Sequence, residues 1–314
     1  METFKHKVKD GTELHCYRWA PEGDAIATIY IAHGMGEHAE RYDWVARQLT
    51  AAGYLVIAND HRGHGHTASH LGDTGIDGWN RTIDDMFQMM QSYALIGKPR
   101  ILLGHSMGAM LSQQFVTRYG FTLDALVLSG SPGFNPTLLN WISRFLCWVE
   151  HKRLGPLKES PLLSGLIFGS ANKPFEQEGT ETNGFEWLSR DQDEVQKYID
   201  DPLCGFVPFP QSLGYMFEGV AATQDKSQIR DIPQELPIYV FSGTADPVHK
   251  DLKNLNRLLN AWRGRGLTTT TKFYADGATR SKPIGGSYEQ PVGVVKQPGF
   301  RSESNLNFLV PTTT

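Results

Sequence analysis

The chain has 314 residues, 40% of them hydrophobic and 20% charged, a composition that suits one large α/β domain with an insertion or two small domains. A net charge of −4 without a Lys/Arg block leaves no electrostatic footprint for nucleic acid or an anionic bilayer. Cys16, Cys147 and Cys204 are odd in number and lack metal-ligand spacing, so free thiols are expected, with no disulfide framework and no structural metal. The first residues contain no apolar targeting stretch and no segment is long enough to span a bilayer, which makes a cytoplasmic protein the default expectation.

In chain order, residues 5–9 and 14–19 flank Asp10-Gly11, a turn signal that predicts an antiparallel hairpin. Strands follow at 28–31, 54–57, 100–103, 125–128, 238–241 and 271–274. Between them 44–52, 83–95, 111–119 and 252–262 carry apolar residues at helical spacing. Such alternation implies a mostly parallel central sheet covered by helices on both faces. The rhythm breaks over 133–219, which reads as an inserted helical cap dividing a core of 1–132 and 220–277. Leu138, Trp141, Ile142, Phe145 and Val149 share one helical face there, expected either to pack on the main domain or to line an acyl-chain pocket.

Gly104-His105-Ser106-Met107-Gly108 fits G-x-S-x-G and sits between a short apolar strand and a helical pattern, the context that gives this motif its chemistry. A serine there occupies a cramped strand-to-helix turn that only glycines permit, with its hydroxyl exposed at a helix N-terminus. An oxyanion hole needs the backbone N–H after the nucleophile, here Met107, and a second from the loop after an earlier strand. That loop is His33-Gly34-Met35-Gly36-Glu37-His38, with Met35 as the candidate donor and Gly34 and Gly36 admitting close approach. A metal reading of His33, Glu37 and His38 explains fewer residues than the hydrolase reading. Asp246 lies late in the chain after an apolar strand, as the acid of a Ser, Asp, His order would. His61 and His64 are expected to buttress the loop beneath the serine.

The blocks at 33–38, 60–65 (Asp-His-Arg-Gly-His-Gly) and 104–108 resemble those of the monoacylglycerol lipase and lysophospholipase group of serine aminopeptidase-like α/β-hydrolases. Ser189-Arg190-Asp191, Asp201-Pro202-Leu203 and residues 243–248 extend the likeness, which runs to about residue 277. The resemblance implies an α/β-hydrolase fold, a serine nucleophile at Ser106, oxyanion amides at Met35 and Met107 and an acid at Asp246. It further implies no cofactor and cleavage of carboxylic esters, often of one long acyl chain. A cap rich in Leu, Trp and Phe adds the expectation of transient contact with lipid surfaces.

The family's base sits in a Gly-Arg-His-Glu block after the last strand, where this chain reads Gly277-Ala278-Thr279-Arg280, and no histidine follows His249. Without a base a serine hydroxyl is a poor nucleophile at neutral pH. Deleting one C from GGC CGC CAC GAG leaves GGC GCC ACG AG, which encodes Gly-Ala-Thr followed by Arg or Ser. We read residues from about 278 as frameshift product, with 278–314 a coil-like tail. Residues 288–297 also decode as a closing helix, though in another frame and with favourable codon choices. Two functions stay open: an esterase with His249 as substitute base, or a crippled hydrolase fold that only binds an acyl ligand. A peptidase of the same superfamily is the runner-up enzyme, and a serine nucleophile disfavours the dehalogenases and epoxide hydrolases that use Asp.

Overall fold

The computed structural model describes residues 1–176 and 182–275 and, of the remainder, the strands Val292–Val295 and Phe308–Pro311. The turn at Asp10-Gly11 closes because Gly11 takes φ +92° and Asp10 Oδ1 accepts the Thr12 N–H at 3.0 Å. It joins β1 (Glu2–Lys7) to β2 (Glu13–Trp19) in the expected antiparallel hairpin. The chain continues through β3 (Ala27–Ala32), α1 (Asp43–Ala51), β4 (Tyr54–Asn59), α2 (Gly78–Tyr93), β5 (Arg100–His105), α3 (Met107–Tyr119) and β6 (Ala125–Ser129). After the cap come β7 (Ile238–Gly243), the helix Lys253–Arg263 and β8 (Thr269–Tyr274).

The eight strands lie in the order β1-β2-β4-β3-β5-β6-β7-β8, antiparallel through β1, β2 and β4 and parallel from β4 to β8. From β3 the chain crosses first to β4 on one side and later to β5 on the other, so the loops leaving β3 and β5 diverge over a crevice at the carboxyl ends of the strands.

Strand alternation sends successive side chains to opposite faces. Tyr30, Ile57, Leu102, Leu126 and Val240 join a core built with α2, α3, cap residues and the helix Lys253–Arg263. Ile29, Ile31, Val56, Ile101, Val127 and Tyr239 join a second core on the other face. Among the described residues that second core draws its helical contribution only from Ala39, Tyr42, Val45, Ala46 and Leu49, which lie in and just before α1. The strands β3, β4 and β6 are buried throughout, whereas every residue of β8 is only half-buried.

The cap leaves the sheet between β6 and β7. Its first helix, α4 (Thr137–Leu154), packs against the helix Pro210–Ala222. The face that sequence reasoning placed against the main domain or an acyl pocket is turned away from the main domain. Its Trp141 and Phe145, with Trp148, line an open groove of about 450 Å³ against Pro210, Gln211 and Tyr215. Leu138 is 68% exposed, Trp141 61%, Phe145 47% and the neighbouring Trp148 57%, while α4 buries Asn140, Cys147 and Glu150. The buried Glu150 of α4 accepts hydrogen bonds from Arg153 and Ser160.

Thr279 and its neighbours lie outside the described residues. Within 278–314, read from sequence as coil, the strands Val292–Val295 and Phe308–Pro311 pair antiparallel with each other.

Candidate active site

Ser106 closes β5 and opens α3 with φ +52° and ψ −113°, a conformation that L residues hold only where their surroundings force it. Its N–H continues the sheet ladder to Ser129 O at 2.9 Å, and its carbonyl accepts from Ala109 and Met110. The turn needs both glycines of the motif. A Cβ on Gly108 would overlap the carbonyl of Ala32 and lie 2.7 Å from that of His33, and one on Gly104 would meet Gly108 O and Ser112 Oγ. The missing side chains thus let α3 press against the end of β3. His105 turns away, buried, with Nδ1 3.1 Å from Ser129 Oγ.

The loop after β3 lies over the serine: a Cβ on Gly34 would stand 3.5 Å from Ser106 Cβ. Backbone donors fix the loop's histidine. The His61 N–H can only donate, so His33 Nε2 accepts it at 2.9 Å, and the ring proton sits on Nδ1, donated to Gly34 O at 2.8 Å. In the trans Gly34–Met35 peptide the N–H points opposite to that carbonyl. Among the described residues neither the Met35 nor the Met107 N–H has a hydrogen-bond partner.

Glu37 and Asp60 complete this scaffold, and sequence reasoning missed both roles. Glu37 Oε1 accepts from the Gly34 N–H and the Tyr42 hydroxyl, each at 2.7 Å, so it is no metal ligand beside His33. Asp60 accepts from the N–H groups of Ala39 and His66 at 2.9 and 2.8 Å, tying the 33–38 loop to the 60–65 block. No periodic spacing in the sequence marks these pairs: three each form within the curl of one loop, and only Asp60 with Ala39 joins distant segments. His61 stacks on His33 at 4.1 Å and His64 packs beside it. Burial holds all three imidazoles neutral, His33 below its ordinary value, His61 well below and His64 down to about 3. They support the loop without titrating near neutrality. Behind Met107 lies a cavity of about 20 Å³, enclosed in part by His61, His64, Trp79 and Met216, room for a water and not for an acyl chain.

Gly36 stitches the loop to the cap. Its φ is +64°, a Cβ there would come within 2.6 Å of Phe206 O, and its carbonyl accepts from the Tyr198 hydroxyl and the Gly205 N–H at 2.8 and 2.9 Å. Tyr198 and Phe206 belong to the cap, more than 160 residues away in the chain.

Asp246 is fully buried at the start of a short helical turn after β7, its carboxylate accepting from Ser242 Oγ at 3.0 Å and the Val248 N–H at 2.9 Å. His249 does not serve as the substitute base weighed from sequence. It too is fully buried, its Nδ1 accepts the Leu252 N–H at 2.9 Å, and its Nε2 therefore carries the proton donated to Gly243 O at 2.9 Å. Nε2 lies 4.0 Å from Asp246 Oδ2, beyond hydrogen-bond reach, and neither nitrogen retains a lone pair for the Ser106 hydroxyl. All three cysteines are free.

A family model described as serine aminopeptidase, S33, matches residues 23–276. A monoacylglycerol lipase of Mycolicibacterium smegmatis is 40% identical over 234 residues, 73% of each chain. The human monoglyceride lipase is 37% identical over 243 residues, 76% of this chain and 71% of that one. Among solved structures a carboxyl esterase from Bacillus coagulans superposes with TM-score 0.78 at 24% identity, covering 88% of this chain and 90% of that one, a likeness of fold. With its motifs, its sheet order and a family match over most of its length, this chain belongs to the S33 serine aminopeptidase family of α/β-hydrolases, in the monoacylglycerol lipase and lysophospholipase group.

Proposed function

We propose that this chain is a serine carboxylic-ester hydrolase for substrates with a single acyl chain, monoacylglycerol or lysophospholipid in type, working through an acyl-enzyme on Ser106 without a cofactor. The carrying observation is the strained Ser106 at the start of α3, beside a loop whose Met35 N–H is turned away from His33 and left without a protein acceptor. In this reading Ser106 Oγ attacks the ester carbonyl, and the Met35 and Met107 N–H groups take the charge that develops on its oxygen. Gly34, Gly36, Gly104 and Gly108 hold that geometry, and buried Asp246 stands where a carboxylate would orient the base.

The base itself is the missing member. Thr279 occupies the family's histidine position in sequence and His249 is committed to backbone, so the chain as written is an impaired catalyst. Oxyanion stabilisation and binding alone leave a rate about 10³ to 10⁴ above water. A hydrolase fold that only binds acyl ligands is the limit of the same reading. The peptidase alternative draws support from the family's description, and the ester reading from the high-coverage relatives named for monoglycerides.

The outward aromatic strip of α4, with Trp141 and Phe145 stacked at 5.6 Å, supports transient contact of the cap with lipid surfaces. No described helix is long and apolar enough to cross a membrane, and a cytoplasmic site of action goes with this proposal. The test is covalent. A small fluorophosphonate incubated with the protein should form its adduct at Ser106, located by peptide mapping. Adducts on other serines with none at Ser106 would remove the assignment.

A further inference from the structure

The seam between the cap and the 33–38 loop carries a donor set that ester hydrolysis leaves unused. His38 ends the loop, and its Nε2 lies 2.7 Å from Asp201 Oδ2 in the cap. Cys204 follows on the same turn, its N–H donating to Asp201 O at 3.0 Å. One atom each of His38, Asp201 and Cys204 Sγ lie mutually within 4.8 Å. His38 is buried and the other two are half-buried. The carboxylate is already aimed, because Asp201 Oδ1 accepts the Leu203 N–H at 2.9 Å and leaves Oδ2 to face the imidazole.

We propose that His38, Asp201 and Cys204 bind a zinc-class divalent cation that clamps the cap to the loop after β3. Imidazole nitrogen, thiolate and one carboxylate oxygen are a donor set this class of ion prefers, and water completes the tetrahedron. Tetrahedral zinc with Zn–N and Zn–O near 2.0 Å and Zn–S near 2.3 Å separates its donors by about 3.3 to 3.7 Å. Binding therefore opens the His38–Asp201 contact by about 0.6 Å and draws Sγ in by at most about 1.3 Å, small side-chain rotations.

The proton balance is simple. The thiol loses its proton to solvent, and the imidazole proton resides on Nδ1, a buried atom with no present partner, while Nε2 turns its lone pair to the ion. Burial first, then the Glu37 and Asp201 carboxylates, push the Cys204 thiol far above its ordinary range, with Arg41 acting the other way. The free thiol is thus neutral until a cation replaces its proton. Arg41 is itself engaged, 3.5 Å from Glu37 Oε2 and over the Tyr198 ring. The ion would reinforce the seam already made by Gly36 O with Tyr198 and Gly205.

Cobalt(II) titration reads the site directly, since a thiolate ligand gives a near-ultraviolet charge-transfer band that zinc then abolishes. The expected result is that band at one ion per chain, and a rise in melting temperature of about 5 °C at zinc a hundredfold above Kd. Cys204→Ser should lose the band and weaken zinc binding at least tenfold. A folded protein without the band, or equal zinc stabilisation of Cys204→Ser, overturns the site. Should that variant not fold, alkylation of the unaltered protein decides: Cys204 is expected to be shielded from iodoacetamide by saturating zinc, and unchanged labelling refutes the clamp.

Discussion

His249→Ala separates a structural histidine from a catalytic one. In the native fold this ring accepts the Leu252 N–H and donates to Gly243 O inside a fully buried pocket. Truncation orphans one buried donor and one buried acceptor, at about 1 to 3 kcal/mol each, and leaves a void where the ring packed. The expected total is about 3 to 5 kcal/mol, or about 10 °C in melting temperature for a domain of this size. His249→Gln, which keeps a donor and an acceptor, should recover part of the loss. The assay pairs thermal melts by circular dichroism with the rate of fluorophosphonate labelling at Ser106, measured well below the variant's midpoint and normalised to folded protein. Labelling per folded molecule should stay within about twofold of the parent, because neither ring nitrogen is available to the serine. An unchanged midpoint together with collapsed labelling would refute this and make His249 the base.

Gly108→Ala forces a Cβ into the carbonyls of Ala32 and His33, so α3 must shift at its first turn; labelling at Ser106 should fall at least 10²-fold with a stability loss of about 1 to 3 kcal/mol, and parent-like labelling would refute the close approach. Acid should destabilise the fold: His64 stays neutral down to about 3 and His61 is also held well below the ordinary 6.5. The unfolded chain then binds more protons below pH 6.5, and stability present above that pH is lost on descent, by about 1.4 kcal/mol per histidine at pH 5.5. Equal urea midpoints at pH 7.5 and 5.5 would contradict it. With the base restored, catalytic efficiency should rise from acetyl to medium and long acyl esters, at about 0.8 kcal/mol per buried methylene, and a flat series would point to a short-chain esterase. Replacing the tail from Ala278 with Arg-His-Glu and a closing amphipathic helix should raise the esterase rate well beyond Thr279→His alone, and a parent already matching the rebuilt protein would end the lost-base argument.

Much of this molecule was legible because its signals are local. The β3 to β7 strands are short, largely apolar runs, Asp10-Gly11 announces its own turn, and Gly104 to Gly108 declare the strained serine by their spacing between a strand and a helix. What stayed hidden depends on how irregular loops curl, which no periodicity reports. Glu37 looked like a third metal ligand until the Gly34 N–H and Tyr42 hydroxyl were seen to claim its carboxylate. His249 looked available because the Leu252 and Gly243 backbone groups that occupy it come from the curl of its own loop, which periodicity does not report. The α4 stripe was ambiguous for a different reason: a helical apolar face signals burial only where something covers it, and this one lines an open groove.

The same contrast bears on what a lost base does to the rest of the site. The serine, its strain and both free N–H groups are held by contacts within residues 30–131 and by the cap, through Ala32 and Gly108, His33 and His61, Glu37 and Tyr42, and Gly36 with Tyr198. None of these reaches past β7. On the proposed reading, a histidine delivered after β8 would add general-base chemistry to a scaffold that these contacts already hold. A closing helix would act elsewhere, on β8. That strand is half-buried along its length, and among the described residues the second core draws on no helix beyond α1. On the proposed reading a rebuilt tail therefore has two tasks: its histidine supplies the base, and its closing helix both holds that histidine in place and covers β7 and β8.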